Sequence, residues 1–448
     1  MLLDSTAYAL THRIAVEQSR GRAPSMAGAV LRGREVVWSG ARGEVDGAPP
    51  TDDTQYRIGS ITKTVVAVLV LRLRDEGRLD LDDRLGDHLA DTPVPDATIA
   101  QLLAHSSGLP AETAPPWWER SDGAVRPDLA SLVAEPPLRA PGRRHHYSNV
   151  GFALLGALVG QLRGHDWFTA ASSEVFTPLG MTRTTYAPTA PHAHGWAVHP
   201  WADLLHPEPA HDAGLMAPAG QLWSTTTDLA RFGDLLLHGD DRVLPAATVE
   251  EMRRPSAPSE AGDPDHAQGL GVQLLRHGGR ALAGHTGSMP GFVATLWVDP
   301  AEDLAAVAVA NATSGPAIGT CVAELLGLVA EREPRLPEPW RPAVVNEQVR
   351  ALLGPWYWGA APIAVRLEGS DRLTVGGLGG RARASRFRPG PDGTWVGLDG
   401  YYAGETLRAV RGADGSLSHL DLGSFVFTRE PYAPGEVIPG GVPDDGWR

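Results

Sequence analysis

The stretch Tyr56-Arg57-Ile58-Gly59-Ser60-Ile61-Thr62-Lys63 runs directly into the apolar segment Thr64 to Glu76. A helix beginning near Ser60 sets the Ser60 hydroxyl and the Lys63 amine one turn apart on one face, because residues three apart are neighbours there. A serine at a helix N-terminus also has unpaired backbone N–H groups beside it. The positive end of the helix dipole favours negative charge developing on a bound acyl oxygen. The spacing therefore suits an activated nucleophile.

Composition singles out the same place. The chain carries 39 lysine and arginine residues, and Lys63 is the only lysine among them. A lysine starts near a pKa of ~10.4 and loses its proton readily on burial, whereas a guanidinium stays charged. A base at this position has to be lysine.

With 448 residues the chain has room for a large core and a second domain, and its hydrophobic content of 42% is that of an ordinary globular protein. A net charge of −14 argues against a nucleic-acid binder, which should carry a basic face, and leaves room only for local basic patches. The single cysteine, Cys321, excludes an intrachain disulfide and reads as a small core residue. Asp4, His12 and Arg13 interrupt the N-terminus where a signal peptide needs a basic start and an apolar run, so a cytoplasmic location is expected. No run of 18 uncharged apolar residues suggests a membrane span.

Along the chain, an amphipathic helix is predicted from Asp4 to Ser19, then a hairpin of Ala27 to Leu31 and Glu35 to Ser39 around Arg32-Gly33-Arg34. Helical spacing dominates from Thr98 to about Asp240, with apolar stripes over Ile99–His105, Val150–Leu162 and Thr226–Leu237. Strand patterns return at Gly269–Leu275, Arg280–Ala283, Gly291–Val298 and Leu304–Ala310, before a helix from Pro316 to Glu331. Strands at both ends with helices between predict one α+β unit, residues 1–333. It is an antiparallel sheet joining the two ends of the unit, with a helical insert and the site between sheet and insert. Prolines 334, 337, 339 and 342 predict a stiff linker over 334–343. Alternating short runs with turns such as Pro391-Asp-Gly393 predict a separate antiparallel β barrel and tail over 344–448.

Two further stretches carry chemistry. Tyr147-Ser148-Asn149 follows the basic run Arg143-Arg144-His145-His146, whose cations favour a phenolate at Tyr147 able to act as general base. Gly284-His285-Thr286-Gly287-Ser288 is expected just after a strand, with glycines that let backbone approach a ligand and His285 facing the site. No Gly-x-Ser-x-Gly is present, and the histidines from His192 to His211 lack zinc-protease spacing, so no metal and no cofactor are expected.

With Ser60-x-x-Lys63, Tyr147-x-Asn149 and His285-Thr286-Gly287 in this order, the sequence resembles the penicillin-binding-protein and class C β-lactamase superfamily of serine hydrolases. Leu102-Leu-Ala-His-Ser-Ser-Gly-Leu109, Pro178-Leu-Gly-Met-Thr182 and Ala217-Pro-Ala-Gly-Gln-Leu-Trp-Ser-Thr225 extend the match. The resemblance implies that Ser60 is acylated, that Lys63 and Tyr147 share its proton, and that Asn149 holds the substrate amide. It places the oxyanion hole at the N–H groups of Ser60 and Ser288. His285 stands where β-lactamases have lysine, a pattern that looks like D-stereospecific peptidases, carboxylesterases and penicillin-binding-protein-type thioesterases.

Among these, the architecture is most similar to the thioesterases that take a peptidyl chain from a carrier protein and cyclise it. The expected substrate is then a peptidyl thioester, and the C-terminal domain is lipocalin-like. Its Arg429 would help roof the site and bind a peptide carboxylate or carbonyl. A cytoplasmic carboxylesterase or D-stereospecific peptidase is the alternative. A non-catalytic binding module would require a lost nucleophile or base, and every catalytic position is filled.

Overall fold

In the computed structural model, which describes residues 2–90, 92–125, 128–133, 139–257, 263–337, 339–378 and 383–433, the amphipathic N-terminal stretch forms helix α1 (Asp4–Arg20). Strands β1 (Ser25–Arg32) and β2 (Glu35–Gly43) make the predicted hairpin, with Arg34 at φ 68° in its turn. Helix α2 (Ile61–Asp75) follows Ser60, and every residue from Ile61 to Leu71 is buried. A helix apolar on all sides belongs in the middle of a core.

The helical insert contributes α3 (Ile99–Leu103), α4 (Asn149–Arg163) and α5 (Thr226–His238). Each starts at a side-chain cap, from Thr98, Ser148 and Thr225 respectively, and α4 stops at Gly164 with φ 76°. Strands β3 (His266–Gln268), β4 (Gln273–His277), β5 (Arg280–Met289), β6 (Phe292–Asp299) and β7 (Leu304–Ala310) lead to α6 (Ile318–Arg332). The sheet order is β2-β1-β7-β6-β5-β4-β3, antiparallel throughout, so the N-terminal hairpin completes a sheet made mostly by the C-terminal strands.

One expected boundary is corrected. The strand predicted to stop at Ala283 continues as β5 through His285, Thr286 and Gly287, because Ala283 to Met289 pair with Val298 to Phe292 of β6. Gly284 reads as a strand end but marks a close backbone approach. A Cβ there would fall 2.0 Å from the Leu296 carbonyl oxygen, at φ +150°.

Strand β7 shows how the layers form. Leu304, Ala306, Ala308 and Ala310 pack with α1 and α6 residues such as Leu10, Ile14, Val322 and Leu326. The alternate Ala305, Val307 and Val309 join the larger core with Val66, Val70 and Leu229 of α2 and α5. All seven residues of β7 are buried, as a strand covered on both faces requires.

The chain divides into two compact units, Met1–Leu336 and Pro337–Arg448. In the second, α7 (Glu347–Leu352) precedes eight strands: β8 (Gly354–Trp358), β9 (Ala361–Glu368), β10 (Arg372–Gly377), β11 (Ser385–Pro389), β12 (Trp395–Gly397), β13 (Thr406–Arg411), β14 (Leu417–Leu422) and β15 (Phe425–Phe427). Each pairs with the next, and Tyr357 and Thr428 exchange backbone bonds of 2.8 and 3.0 Å, closing the sheet into a barrel. Closure removes the exposed edge strands.

Arg429 belongs to the framework of this barrel. Its guanidinium donates to the carbonyls of Ala351, Leu353 (3.1 Å) and Pro355 (2.8 Å) and lies 3.9 Å over the Trp356 ring. The fork expected to receive a peptide carboxylate is thus engaged by carbonyls of its own domain, tying the end of α7 to the end of β15. Arg429→Ala is expected to destabilise this domain by about 2 kcal/mol, the scale of losing charge-assisted hydrogen bonds. Calorimetry of the full chain would resolve it, and an unchanged transition would mean that water replaces these bonds at no cost.

Candidate active site

The Ser60 turn is held from two sides. Tyr56 and Arg57 pair with Ser224 and Trp223, and Ile58 N–H donates to the Leu222 carbonyl at 2.9 Å. On the other side β5 runs directly against the turn. A Cβ on Gly287 would fall 2.0 Å from the Ile58 carbonyl oxygen and 3.1 Å from Ser60 N, and one on Gly59 would fall 2.5 Å from Ser288 N. Glycine at 59 and 287 is what lets the two backbone segments touch, and Gly59 also adopts φ +53°. The contact sets the Ser288 amide against the nucleophile turn.

Lys63 Nζ lies 2.9 Å from Ser60 Oγ and donates to the Ala219 carbonyl at 2.6 Å. The side chain is fully buried, and burial pulls its pKa from the ordinary value of 10.5 down to about 7, against the pull of the Glu112 and Glu119 carboxylates. The expected depression is present, but its cause is desolvation alone. The charges that act on it, Glu112 and Glu119, are anions and oppose the shift. A neutral amine that donates one hydrogen to Ala219 keeps a lone pair for the Ser60 proton.

Tyr147 stacks its ring over the same amine, with the centroid 5.1 Å from Nζ, and its hydroxyl bonds to Ser60. Here the sequence expectation fails. Burial raises the Tyr147 pKa above that of a free phenol, and Glu112 and Glu119 push it the same way. Arg143 and Arg144 are exposed, so solvent screens the cations that were to hold a phenolate. Tyr147 is thus held as a phenol, and of the two groups beside Ser60 it is Lys63 whose lowered pKa suits it to take a proton.

His285 is 1% exposed, with Nδ1 2.5 Å from the Thr286 carbonyl oxygen and its ring 6.1 Å from that of Tyr147. Burial, and then Lys63, lower its pKa to about 3. It is a neutral imidazole behind Tyr147 and does not supply the positive charge of a lysine. Asn149 opens α4, and its Nδ2 donates to Glu112 Oε1 at 2.7 Å. Thr286 donates twice, from N and Oγ1, to Gln273 Oε1 at 3.1 Å.

Ser60, Tyr147, Gln273, Thr286, Gly287 and Ser288 line a cavity of about 390 Å³. It adjoins a larger one of about 770 Å³ that shares Tyr147, Gln273 and Thr286 and continues past Asp263, Asp265, His266, Arg276 and His277. Ser60, Lys63, Tyr147, Thr286, Gly287 and Ser288 are thus brought together, with Asn149 and His285 one contact away.

The beta-lactamase family model matches residues 10–330, which is most of the chain. The chain belongs to the beta-lactamase family. Penicillin-binding protein 4 of Amycolatopsis lactamdurans is 30% identical over 323 residues, covering 66% of this chain and 82% of that protein. Two solved structures are similar at 25% identity. The D-stereospecific amidohydrolase of a Streptomyces species has a TM-score of 0.61, covering 74% of this chain and 99% of its own. SurE with D-Leu has a TM-score of 0.58, covering 96% of this chain and 100% of its own. A second model, described as a domain of unknown function (DUF7586), matches residues 345–429.

This family member also carries site residues that no motif announced. Glu112 accepts from Asn149 and from Trp118 Nε1 (2.7 Å), while Glu119 accepts from Trp117 Nε1 (2.9 Å). Both act on Lys63, and burial raises the Glu119 pKa. They lie in an irregular loop, where periodicity gives no signal. Gln273 reads as an ordinary strand residue. His105 lies within Leu102–Leu109, and its contacts are with residues some 40 positions away.

Proposed function

We propose that this protein is a peptidyl acyltransferase that loads a peptide onto Ser60 from a thioester, held on a carrier protein, and releases it as a macrocycle. Ser60 Oγ attacks the thioester carbonyl while its proton passes to Lys63. The backbone N–H groups of Ser60 and Ser288 hold the oxyanion. The thiolate leaves with a proton relayed through Tyr147. The peptide's own amine then attacks the Ser60 ester, giving up a proton along the same path, and Ser60 Oγ recovers its hydrogen.

The observation that carries this reading is Glu112, which accepts from Asn149 Nδ2 at 2.7 Å at the start of the helix that follows Tyr147 and which, with Glu119, acts on Lys63. Such a site attracts an amine and repels an anionic acyl donor. The adjoining cavity, lined by aspartates, histidines and arginine, suits a polar peptide better than a fatty acyl chain. The chain is similar over 96% of its length to SurE, whose structure was solved with D-Leu, and an amino-acid ligand in that protein fits a peptide substrate here. A D-stereospecific amidohydrolase is the second reading. The same carboxylates would take the α-ammonium of a D-amino-acid amide, and the Streptomyces amidohydrolase is as close in sequence.

Mass spectrometry with peptidyl thioesters, D-amino-acid amides and short-chain esters separates the readings. A cyclic product from a peptidyl thioester with a free N-terminus, and only hydrolysis from its N-acetylated twin, is the expected result. Hydrolysis of D-amino-acid amides without cyclisation would move the assignment to the amidohydrolase. Turnover of simple esters without preference for a free amine would overturn both.

A further inference from the structure

His105 occupies the turn after α3 in a left-handed conformation, φ +53°, that few non-glycine residues adopt. It is 1% exposed. From this position it makes three contacts with one short segment. Its carbonyl accepts the His146 N–H at 2.7 Å, its Nδ1 accepts the Ser148 N–H at 3.0 Å, and its ring stacks on that of Tyr147, with centroids 4.3 Å apart and planes 28° apart. The hydrogen bonds bracket Tyr147 in sequence, and the stack fixes the plane of its ring. Phe152 of α4 packs on the imidazole as well, 5.1 Å away.

The bonds around this set extend the same grip. Ser148 Oγ donates to the Pro110 carbonyl at 2.7 Å, and Asn149 N–H to that of Ala111 at 2.9 Å. The chain from His105 to Ala111 thus lies along the chain from His146 to Asn149. Tyr147 itself is held by ring contacts, to His105 on one side and His285 more distantly, with Lys63 over its ring. A phenol in a proton relay works only while its oxygen stays in hydrogen-bond reach of Ser60, and a misplacement of about 1 Å costs on the order of 10²-fold in rate.

We propose that His105 is a positioning residue for the acyl-transfer reaction: through its Nδ1 acceptor and its stacked ring it holds Tyr147 aimed at Ser60. The role requires a neutral imidazole, since a protonated Nδ1 cannot accept the Ser148 N–H. Burial and the neighbouring Lys63 keep His105 far below the ordinary histidine pKa. The proposal rests on Ser60 chemistry alone and is indifferent to whether the acyl group goes to an amine or to water.

Two substitutions separate the acceptor from the ring. His105→Asn keeps an acceptor near the Nδ1 position and tolerates φ > 0, whereas His105→Phe keeps an aromatic ring and removes the acceptor. With an activated aryl ester, His105→Phe is expected to lower kcat by about 10²-fold at nearly constant KM, and His105→Asn by no more than about tenfold. The deciding measurement is a double-mutant cycle with Tyr147→Phe. If His105 acts through Tyr147, His105→Phe adds less than about twofold in that background. Multiplicative losses, equal losses in the two His105 variants, or no loss in either would overturn the proposal. If the phenylalanine variant does not fold, His105→Leu takes its place in the same cycle.

Discussion

Ser60→Ala is expected to lower acyl transfer by roughly 10⁴-fold or more, the scale of losing a covalent nucleophile whose base and oxyanion donors remain. The variant should also show no acyl adduct on incubation with an activated ester, where the parent gains the mass of one acyl group. The fold should survive. Ser60 Oγ is bonded within the site to Lys63 and Tyr147, while the turn itself is held by the backbone bond from Ile58 to Leu222 and by contact with Gly287. Lys63 keeps its bond to the Ala219 carbonyl without the serine. Residual turnover within about tenfold of the parent would rule out Ser60 as the nucleophile.

How much of this was legible in the sequence depended on how local each feature is. The Ser60–Lys63 pair needs only a helix start and a spacing of three, so it can be read before any tertiary contact is known. The antiparallel sheet was visible as strand patterns at both ends of one unit. Strand β5 looks as if it ends at Ala283, because Gly284 and Gly287 resemble breakers when taken alone. Their purpose, close approach to Leu296 and Ile58, exists only once those segments meet.

Protonation states were the least legible part. A basic run before Tyr147 suggested a phenolate, but charge in sequence is not charge in space. The arginines sit in solvent, and the groups acting on Tyr147 are Glu112 and Glu119, some 30 residues earlier in a loop. His285 was expected to face the site; it is instead buried in β5 one contact behind the cavity, and that burial lowers its pKa. Motif residues could be named from the sequence, and their chemistry required the fold.

Lys63 brings activity and stability into opposition, and both sides can be measured. As a base it must be neutral, so kcat/KM is expected to rise as pH increases through about 7 and to level off above it. Lys63→Arg should lose roughly 10²–10⁴-fold, because a guanidinium cannot take the proton. A variant retaining most activity would show that only positive charge is required. The same depressed pKa costs stability. Between about 7 and 10.5 the unfolded chain holds a proton on Lys63 that the folded chain does not, so this residue makes stability rise with pH across that window. Below it the penalty is complete, on the order of 5 kcal/mol at about 1.36 kcal/mol per pKa unit. Replacing the amine by an apolar side chain of similar length removes the penalty, so Lys63→Met should be inactive yet more stable than the parent near neutral pH. Its advantage should shrink as the solution becomes alkaline. Urea titrations of the two proteins at several pH values between about 7 and 10.5 read this difference in the window where Lys63 itself titrates. A stability difference that does not change with pH would mean that Lys63 keeps its ordinary pKa in the fold, and Lys63 could not then be the base.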